Sequence, residues 1–155
     1  MITTWRIVSA EYADTAFTGK SASLAGGRWN SPGTPVVYTS STASLAALEL
    51  LVHLRRHHSQ LHGRVIFACT FAEKLFAEVE PDTLPANWLD PQPPQALRDI
   101  GDAWVKSGRS AVLRVPSVII ATESNYILNP DHRDFTQITI ADPAPFSLDT
   151  RLLRR

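Results

Sequence analysis

Residues 36–51 read VVYTSSTASLAALELL and join a short predicted strand to a long predicted helix. Val36 to Ser40 are rich in β-forming residues and predict a strand. Ser41 and Thr42 supply the hydroxyl side chains that cap a helix N-terminus. The leucine-rich run that follows predicts the clearest helix in the chain, from Ala43 to about His57.

Outward from this unit, the chain mixes strand and helix patterns without strict alternation. Apolar runs predict strands at residues 3–9, 64–71, 111–115, 118–121 and 135–140, and the second of these should be central because it is apolar on both faces. Pro116 cannot donate to a sheet ladder, so a break is expected there. A second helix is predicted from Pro94 to about Ser107. The pattern indicates an α+β fold, a mixed or antiparallel sheet core with flanking helices.

Two segments lack a regular pattern. Glycines frame residues 19–33, which are predicted to form a shaped loop. Residues 81–94 contain five prolines and are predicted to be irregular.

The composition fits one compact domain over residues 1–155, because 44% of the residues are hydrophobic, enough for a sizeable core. Lys plus Arg and Asp plus Glu number 15 each, so the formal net charge is zero. This balance argues against direct nucleic-acid binding and against an anionic-membrane binder, since both classes normally carry a basic excess.

Cys69 is the single cysteine, so an internal disulfide and a cysteine-rich zinc site are excluded, and its apolar surroundings predict a buried, inert thiol. We find neither a signal-peptide pattern nor about 20 consecutive apolar residues. A cytoplasmic protein with no membrane association is expected.

The helix from Ala43 to His57 carries a carboxylate where an apolar side chain would be expected. Leu45, Leu48 and Val52 form an apolar stripe, and Glu49 lies on the same face because it is four residues after Leu45. A carboxylate there must be paired, protonated or placed at the wall of a cleft. Glu49 is therefore either a functional group or half of a buried salt bridge, with Arg28 or Arg6 as partner.

A glycine-framed arginine precedes the strand. In Gly26-Gly27-Arg28-Trp29-Asn30 the glycines permit close approach of a ligand, and the guanidinium could hold a pair of phosphate oxygens. The block matches neither a phosphate-binding loop that ends in Gly-Lys-Ser/Thr nor a dinucleotide fingerprint. A tight turn with a cross-strand Arg–Glu bridge is the structural alternative. Tyr38, in the next strand, could present its ring to the same cavity.

Taken in order, these blocks resemble the RES domain family, which is named for an arginine, a glutamate and a serine that correspond here to Arg28, Glu49 and Ser117. The resemblance runs from residue 5 to about residue 130, and its blocks are Trp5-Arg6, residues 26–33, Val37-Tyr38-Thr39-Ser40, Leu45-Ala46-Ala47-Leu48-Glu49 and Val115-Pro116-Ser117.

The resemblance implies an ADP-ribosyltransferase-like fold and a toxin that degrades NAD⁺ by hydrolysis or phosphorolysis, inhibited by an Xre-like antitoxin protein. NAD⁺ would be the substrate and no cofactor is expected. Glu49 would stabilise the oxocarbenium-like ribose, and Arg28 would hold the diphosphate or the nicotinamide ribose. Tyr38 would stack on nicotinamide. Ser117 would donate to a phosphate oxygen, or to inorganic phosphate if that is the acceptor, and Arg6 and Asn125 are further candidates for substrate binding.

Three alternatives stay open. A mono-ADP-ribosyltransferase would use the same pocket to modify a protein. A non-catalytic interaction domain would leave the polar residues scattered. A metal site could use His57, His58 and His62, although solvated histidines at a helix C-terminus explain them better. The resemblance also suggests a homodimer, and the arginines of the tail (Arg151, Arg154 and Arg155) are candidates for contact with the antitoxin.

Overall fold

The computed structural model describes residues 1–57 and 63–153. Within these residues an eight-stranded sheet is combined with three α-helices, which confirms the α+β prediction. The strands are β1 (Ile2–Ser9), β2 (Val37–Ser40), β3 (Arg64–Phe71), β4 (Phe76–Glu78), β5 (Val112–Pro116), β6 (Ser124–Leu128), β7 (Thr139–Ile140) and β8 (Ala144–Phe146). The helices are α1 (Lys20–Ala25), α2 (Ala43–His57) and α3 (Gln95–Ser107).

The sheet has the order β4-β5-β6-β2-β1-β3-β7, and β8 also pairs with β3. The pairing of β4 with β5 is parallel and the other pairings are antiparallel. In the middle of the sheet, Ser40 of β2 lies opposite both Trp5 of β1 and Asn125 of β6. Val115 of β5 lies opposite Asn125 on its other side. Side chains directly opposite one another share a face, so these four residues point to the same side.

Helices α2 and α3 cover that side, which we call the helix face. Leu97 and Trp104 of α3 pack with Val115 and Ile127 in one buried cluster. The opposite face packs a second cluster that includes Val37, Cys69, Phe71, Tyr126, Leu128 and Ile138. Because each strand alternates its side chains, the position of one residue decides on which face its neighbours lie.

Four predicted elements need correction. Residues 118–121 form a turn instead of a strand, and the strand that follows is β6. Residues 19–33 contain the short helix α1. Only Thr139–Ile140 of the predicted strand 135–140 pairs with the sheet, because a 3-10 helix occupies Arg133–Gln137. Strand β3 is not central. It lies second from one edge of the sheet, between β1 on one side and the short strands β7 and β8 on the other.

Candidate functional site

Helix α2 presents Glu49 from a firmly anchored first turn. Thr42 Oγ1 accepts a hydrogen bond from the Leu45 N–H at 3.0 Å, which confirms the predicted cap. Leu45 and Ala46 are buried, and at 100° per residue Glu49 projects between them. Val52 is 43% exposed, so the predicted stripe does not extend to it. Glu49 itself is half-buried, on the side of the helix that faces the sheet.

The Glu49 carboxylate has a specific partner on the sheet. Asn125 Nδ2 of β6 donates to Glu49 Oε1 at 2.9 Å. Burial raises the pKa of Glu49 above its ordinary value, while the Asn125 hydrogen bond and the nearby Arg28 guanidinium act in the opposite direction. The site therefore holds a carboxylate beside one amide donor and one cation.

Residues 27–30 form a tight turn built around Asn30. The Gly27 N–H donates to the Asn30 carbonyl at 3.0 Å. The Asn30 side chain is fully buried, and its Nδ2 donates to the carbonyls of Ala22 and Thr34 at 2.9 and 3.0 Å. Trp29 is also buried and packs into the helix-face core. The turn is thus fixed from inside, and Arg28 projects from it.

Tyr38 closes this turn through its hydroxyl. The Tyr38 hydroxyl donates to Asn30 Oδ1 at 2.5 Å and accepts from the Trp29 N–H at 3.0 Å. Burial raises the pKa of the phenol, so it stays neutral. At Gly27 a Cβ would lie 2.6 Å from the hydroxyl, which is why this position needs glycine. Tyr38 is two residues before Ser40 and so lies on the helix face, as Asn125 does.

Arg28 binds the proline-rich segment. Its Nη1 donates to the carbonyls of Trp88 and Asp90 at 3.2 and 2.9 Å, and its Nη2 donates to the Pro91 carbonyl at 3.3 Å. Residues 81–94, which apart from a 3-10 turn at Pro81–Thr83 are irregular as predicted, are thereby tied to the turn.

Helix α3 supplies three residues that the sequence analysis missed. Arg98 Nε donates to the Gly27 carbonyl at 3.0 Å, and Asp102 Oδ1 accepts from the Ser31 N–H at 2.9 Å. Between them, Gly101 lets the helix touch the turn, because a Cβ there would lie 1.6 Å from the Trp29 oxygen. The spacing of the three places them on one helix face, a signal that could have pointed to a packed surface.

Ser117 has a structural position. Its side chain is fully buried, and its Oγ accepts the N–H groups of Ile119 and Ile120 at 3.1 and 3.0 Å. The Ser117 N–H donates to the Glu123 carbonyl at 3.1 Å. These bonds fold residues 117–123 into a turn, which is why no strand forms there. Contact between Ser117 and a phosphate would require that turn to open.

Arg6 does not lie with the other predicted site residues. It follows Trp5 in β1 and therefore points away from the helix face. Its Nε donates to the Ala16 carbonyl at 2.8 Å and its Nη1 to the Tyr38 carbonyl at 3.1 Å, and burial lowers its pKa to about 10. A salt bridge from Arg6 to Glu49 is excluded, because the sheet separates them.

A cavity of about 610 Å³ is lined by residues of two segments, 78–88 and 114–124. Val115 and Ser124, which are the ladder partner and the chain neighbour of Asn125, line it. Trp88 and Arg114 contribute an aromatic ring and a cation to its wall. Arg28, Tyr38, Glu49 and Asn125 are not among its lining residues.

In the described residues, no group of three or more His, Cys, Asp or Glu side chains is placed to hold a metal ion. Of the histidines in the metal alternative, His58 and His62 lie outside the described residues, as do Arg154 and Arg155 of the tail. Arg151 pairs with Asp149 at 2.7 Å. None of the described helices is long and apolar enough to cross a membrane.

Comparison with known families decides where this arrangement belongs. The family model described as RES domain matches residues 3–149. The chain belongs to the RES domain family. Arg28, Glu49 and Ser117, to which the family resemblance pointed, all lie within the matched range.

Curated relatives match the RES chain nearly from end to end. A protein named Toxin Res from Yersinia enterocolitica is 37% identical over 149 residues, which cover 96% of this chain and 97% of the relative. A Toxin Res from Photorhabdus laumondii is 35% identical, with 97% and 96% covered. A Sphingobium protein named Prs ADP-ribosylating toxin is 34% identical, also with 97% and 96% covered.

The fold of this RES protein is similar to a solved structure. A chain of the Mycobacterium tuberculosis MbcT–MbcA toxin–antitoxin complex superimposes with a TM-score of 0.78 at 15% identity, covering 94% of this chain and 84% of that chain. At this identity the similarity concerns the fold alone.

Proposed function

We propose that this RES protein is a toxin that cleaves the bond between nicotinamide and ribose in NAD⁺. The observation that carries the proposal is Glu49, a half-buried carboxylate that accepts a hydrogen bond from Asn125 and lies in the field of Arg28. Retaining a partly desolvated carboxylate is unfavourable for stability, and such groups concentrate at functional sites. The relatives named as toxins support the biological role.

The chemistry needs a fixed negative charge more than it needs an acid. When the glycosidic bond breaks, its electron pair leaves with nicotinamide, which departs as a neutral molecule. Positive charge develops on the ribose, as in glycoside hydrolysis. The Glu49 carboxylate would stabilise that charge from a rigid helix. Water or phosphate then adds to the sugar carbon and loses a proton, giving ADP-ribose or its 1-phosphate.

The remaining residues would hold the dinucleotide. Arg28 would exchange its contacts with the backbone carbonyls of residues 88–91 for oxygens of the diphosphate, which bind a guanidinium more strongly because they are charged. The Tyr38 ring would stack on nicotinamide, while its hydroxyl keeps the turn closed. Ser117 would contact phosphate only after the 117–123 turn opens. Arg28 acts electrostatically on both Tyr38 and Glu49, and this proximity favours an enzyme over a non-catalytic interaction domain.

The decisive experiment incubates the purified protein, free of antitoxin, with NAD⁺ in buffers with and without phosphate, followed by chromatography of the products. We expect free nicotinamide, together with ADP-ribose in either buffer if water is the acceptor, and with ADP-ribose 1-phosphate only in the buffer that contains phosphate if phosphate is the acceptor. Glu49→Gln should lower the rate about 100-fold or more, as removal of one transition-state contact typically does. Glu80→Gln, at an exposed carboxylate, is the control. No nicotinamide from the wild-type protein would refute the proposal.

A second candidate is transfer of ADP-ribose to a protein, which is favoured by the similarity to the Sphingobium Prs ADP-ribosylating toxin. Mass spectrometry of a bacterial lysate treated with the protein and NAD⁺ separates the two fates. Stable addition of ADP-ribose to a discrete target supports the transferase, and free ADP-ribose or its phosphate supports the hydrolase or phosphorylase.

We further propose that an Xre-like antitoxin protein binds this chain and suppresses its activity, and that the chain forms a homodimer. Co-expression should restore growth and NAD⁺ levels in cells that express the toxin, and light scattering gives the oligomeric state of the free protein.

A further inference from the structure

We infer that Asn125 is a positioning residue, whose side-chain amide orients the Glu49 carboxylate. This inference rests on the proposed function, because it matters to the reaction only if Glu49 stabilises the ribose cation.

The backbone of Asn125 is held on both sides. It lies opposite Ser40 of β2 and opposite Val115 of β5, in the interior of the sheet. A side chain from such a position has a well-defined origin and only two rotatable bonds.

The start of helix α2 is tied to the same strand end. Thr42 Oγ1 donates to Glu123 Oε1 at 2.7 Å, and the Ser41 N–H donates to the Ser124 carbonyl at 3.0 Å. The helix that carries Glu49 and the strand that carries Asn125 are therefore anchored to each other about two turns from the carboxylate. These bonds restrict the movement of α2 relative to β6, and so they hold the Glu49 and Asn125 side chains at a fixed separation.

The side-chain amide of Asn125 has one hydrogen-bond partner among the described residues, the Glu49 carboxylate. Its Nδ2 donates to Glu49 Oε1 at 2.9 Å, while its Oδ1 is buried and has no hydrogen-bond partner. The flipped amide would turn its oxygen toward the carboxylate and bring two acceptors together, so Glu49 determines the orientation. A buried acceptor without a partner reduces stability, and such groups are expected where function requires them. An apolar residue would suit this half-buried strand position better if Asn125 served the fold alone.

The hydrogen bond also opposes the effect of burial. Desolvation raises the pKa of Glu49, and the Asn125 donor and Arg28 lower it. A protonated Glu49 could not stabilise a developing cation. Arg28, from the 27–30 turn, is the charged group that acts on Glu49. On α2 itself the nearest titratable residue is His53, four residues after Glu49. A pH profile must therefore separate the ionisation of His53 from that of Glu49.

The experiment measures kcat and KM for NAD⁺ cleavage from pH 4 to 9 in Asn125→Leu, which replaces the amide by an apolar group of similar shape. We expect kcat at neutral pH to fall about tenfold or more, and the acid limb of kcat to move upward by about one pH unit, since one unit corresponds to tenfold in the ionisation equilibrium. KM should change little. Asn125→Gln, which keeps an amide donor, should keep the acid limb close to that of the wild type. The same series in a His53→Gln background removes the second titration.

The matched control is Asn129→Leu, just beyond the end of the same strand. Asn129 is buried, and its Oδ1 accepts from the Asp131 N–H at 3.1 Å. This variant should melt at a lower temperature without moving the acid limb. If Asn125→Leu also loses only stability, with an unchanged acid limb, Asn125 is structural and the inference is wrong.

A direct titration separates this inference from the proposed function. Carbon-13 NMR of the Glu49 carboxyl should show a higher pKa in Asn125→Leu than in the wild type, whether or not the protein cleaves NAD⁺. An unchanged titration would overturn the coupling itself. If the wild type releases no nicotinamide but the Glu49 titration is shifted in Asn125→Leu, the proposed function is wrong and the positioning role of Asn125 is retained.

Discussion

Gly101→Ala reverses the sign that helix propensity predicts. Alanine is favoured over glycine in a helix interior by about 1 kcal/mol, so the substitution should stabilise α3 if propensity decided the outcome. In the structure the new Cβ would lie 1.6 Å from the Trp29 carbonyl oxygen, where ordinary contacts begin at 3.4 Å. Helix and turn would have to part by about 1.8 Å, because backbone atoms on both sides cannot rotate away.

That separation would lower both the stability and the activity of the protein. It would stretch the bonds from Arg98 to the Gly27 carbonyl and from the Ser31 N–H to Asp102 beyond hydrogen-bonding distance. Overpacking costs about 3 kcal/mol at the upper end of its usual range. After the gain in propensity, a net loss of about 2 kcal/mol remains, or about 4–8 °C in Tm for a chain of this size. Cleavage of NAD⁺ should fall as well, because the turn carries Arg28.

Thermal unfolding followed by circular dichroism measures the effect, and Ala103→Gly on the exposed side of the same helix is the control. The control should lose about 1 kcal/mol through propensity alone and retain activity. A Gly101→Ala protein that melts at or above the wild-type temperature would refute the close approach of α3 to the turn.

Three further predictions concern single side chains. Because burial raises the pKa of Glu49, the folded state binds the carboxyl proton more tightly than the unfolded state does. The stability of the wild type relative to Glu49→Gln should therefore be greatest below about pH 4.5, decrease as the pH rises through the pKa of the folded state, and then become constant. Melting curves of both proteins at pH 4 and pH 7 would show this decrease. Ser117→Ala leaves the N–H groups of Ile119 and Ile120 without their acceptor and should lose about 1–3 kcal/mol in chemical denaturation; full stability would show that the 117–123 turn does not depend on this hydroxyl. Burial raises the pKa of Cys69 to about 12, so a disulfide-exchange reagent at pH 8 should react with it only after unfolding, and rapid reaction of the native protein would contradict its placement in the core.

The candidate site shows what chain pattern can and cannot reveal. Glu49 was recognisable because a carboxylate among leucines violates helix amphipathicity, and Thr42 because caps are local. Arg28 was recognised as important, yet its contacts with the carbonyls of residues 88–91 were not foreseeable, since they join parts of the chain about 60 residues apart. Arg98 and Gly101 were missed for the same reason: each looks ordinary in a helix until its partner is known.

Errors in the predicted strands have a common physical origin. Residues 118–121 have strand composition, but two hydrogen bonds to the buried Ser117 hydroxyl bend them into a turn. Ser124–Leu128 is less obviously β-forming, yet it lies between β2 and β5 and is buried by both. Propensity is weak compared with a competing side-chain acceptor or with burial between two strands.

Chain pattern was sufficient to predict the α+β class, the capped helix α2, the glycine-framed turn and the family, because each depends on residues close together in the chain or on blocks in a set order. The positions of Arg6 behind the sheet, of Ser117 inside its turn and of Asn125 next to Glu49 became visible only in the folded protein. Those outcomes depend on strand register, since a shift of one residue moves every side chain to the other face, and register is set by long-range packing.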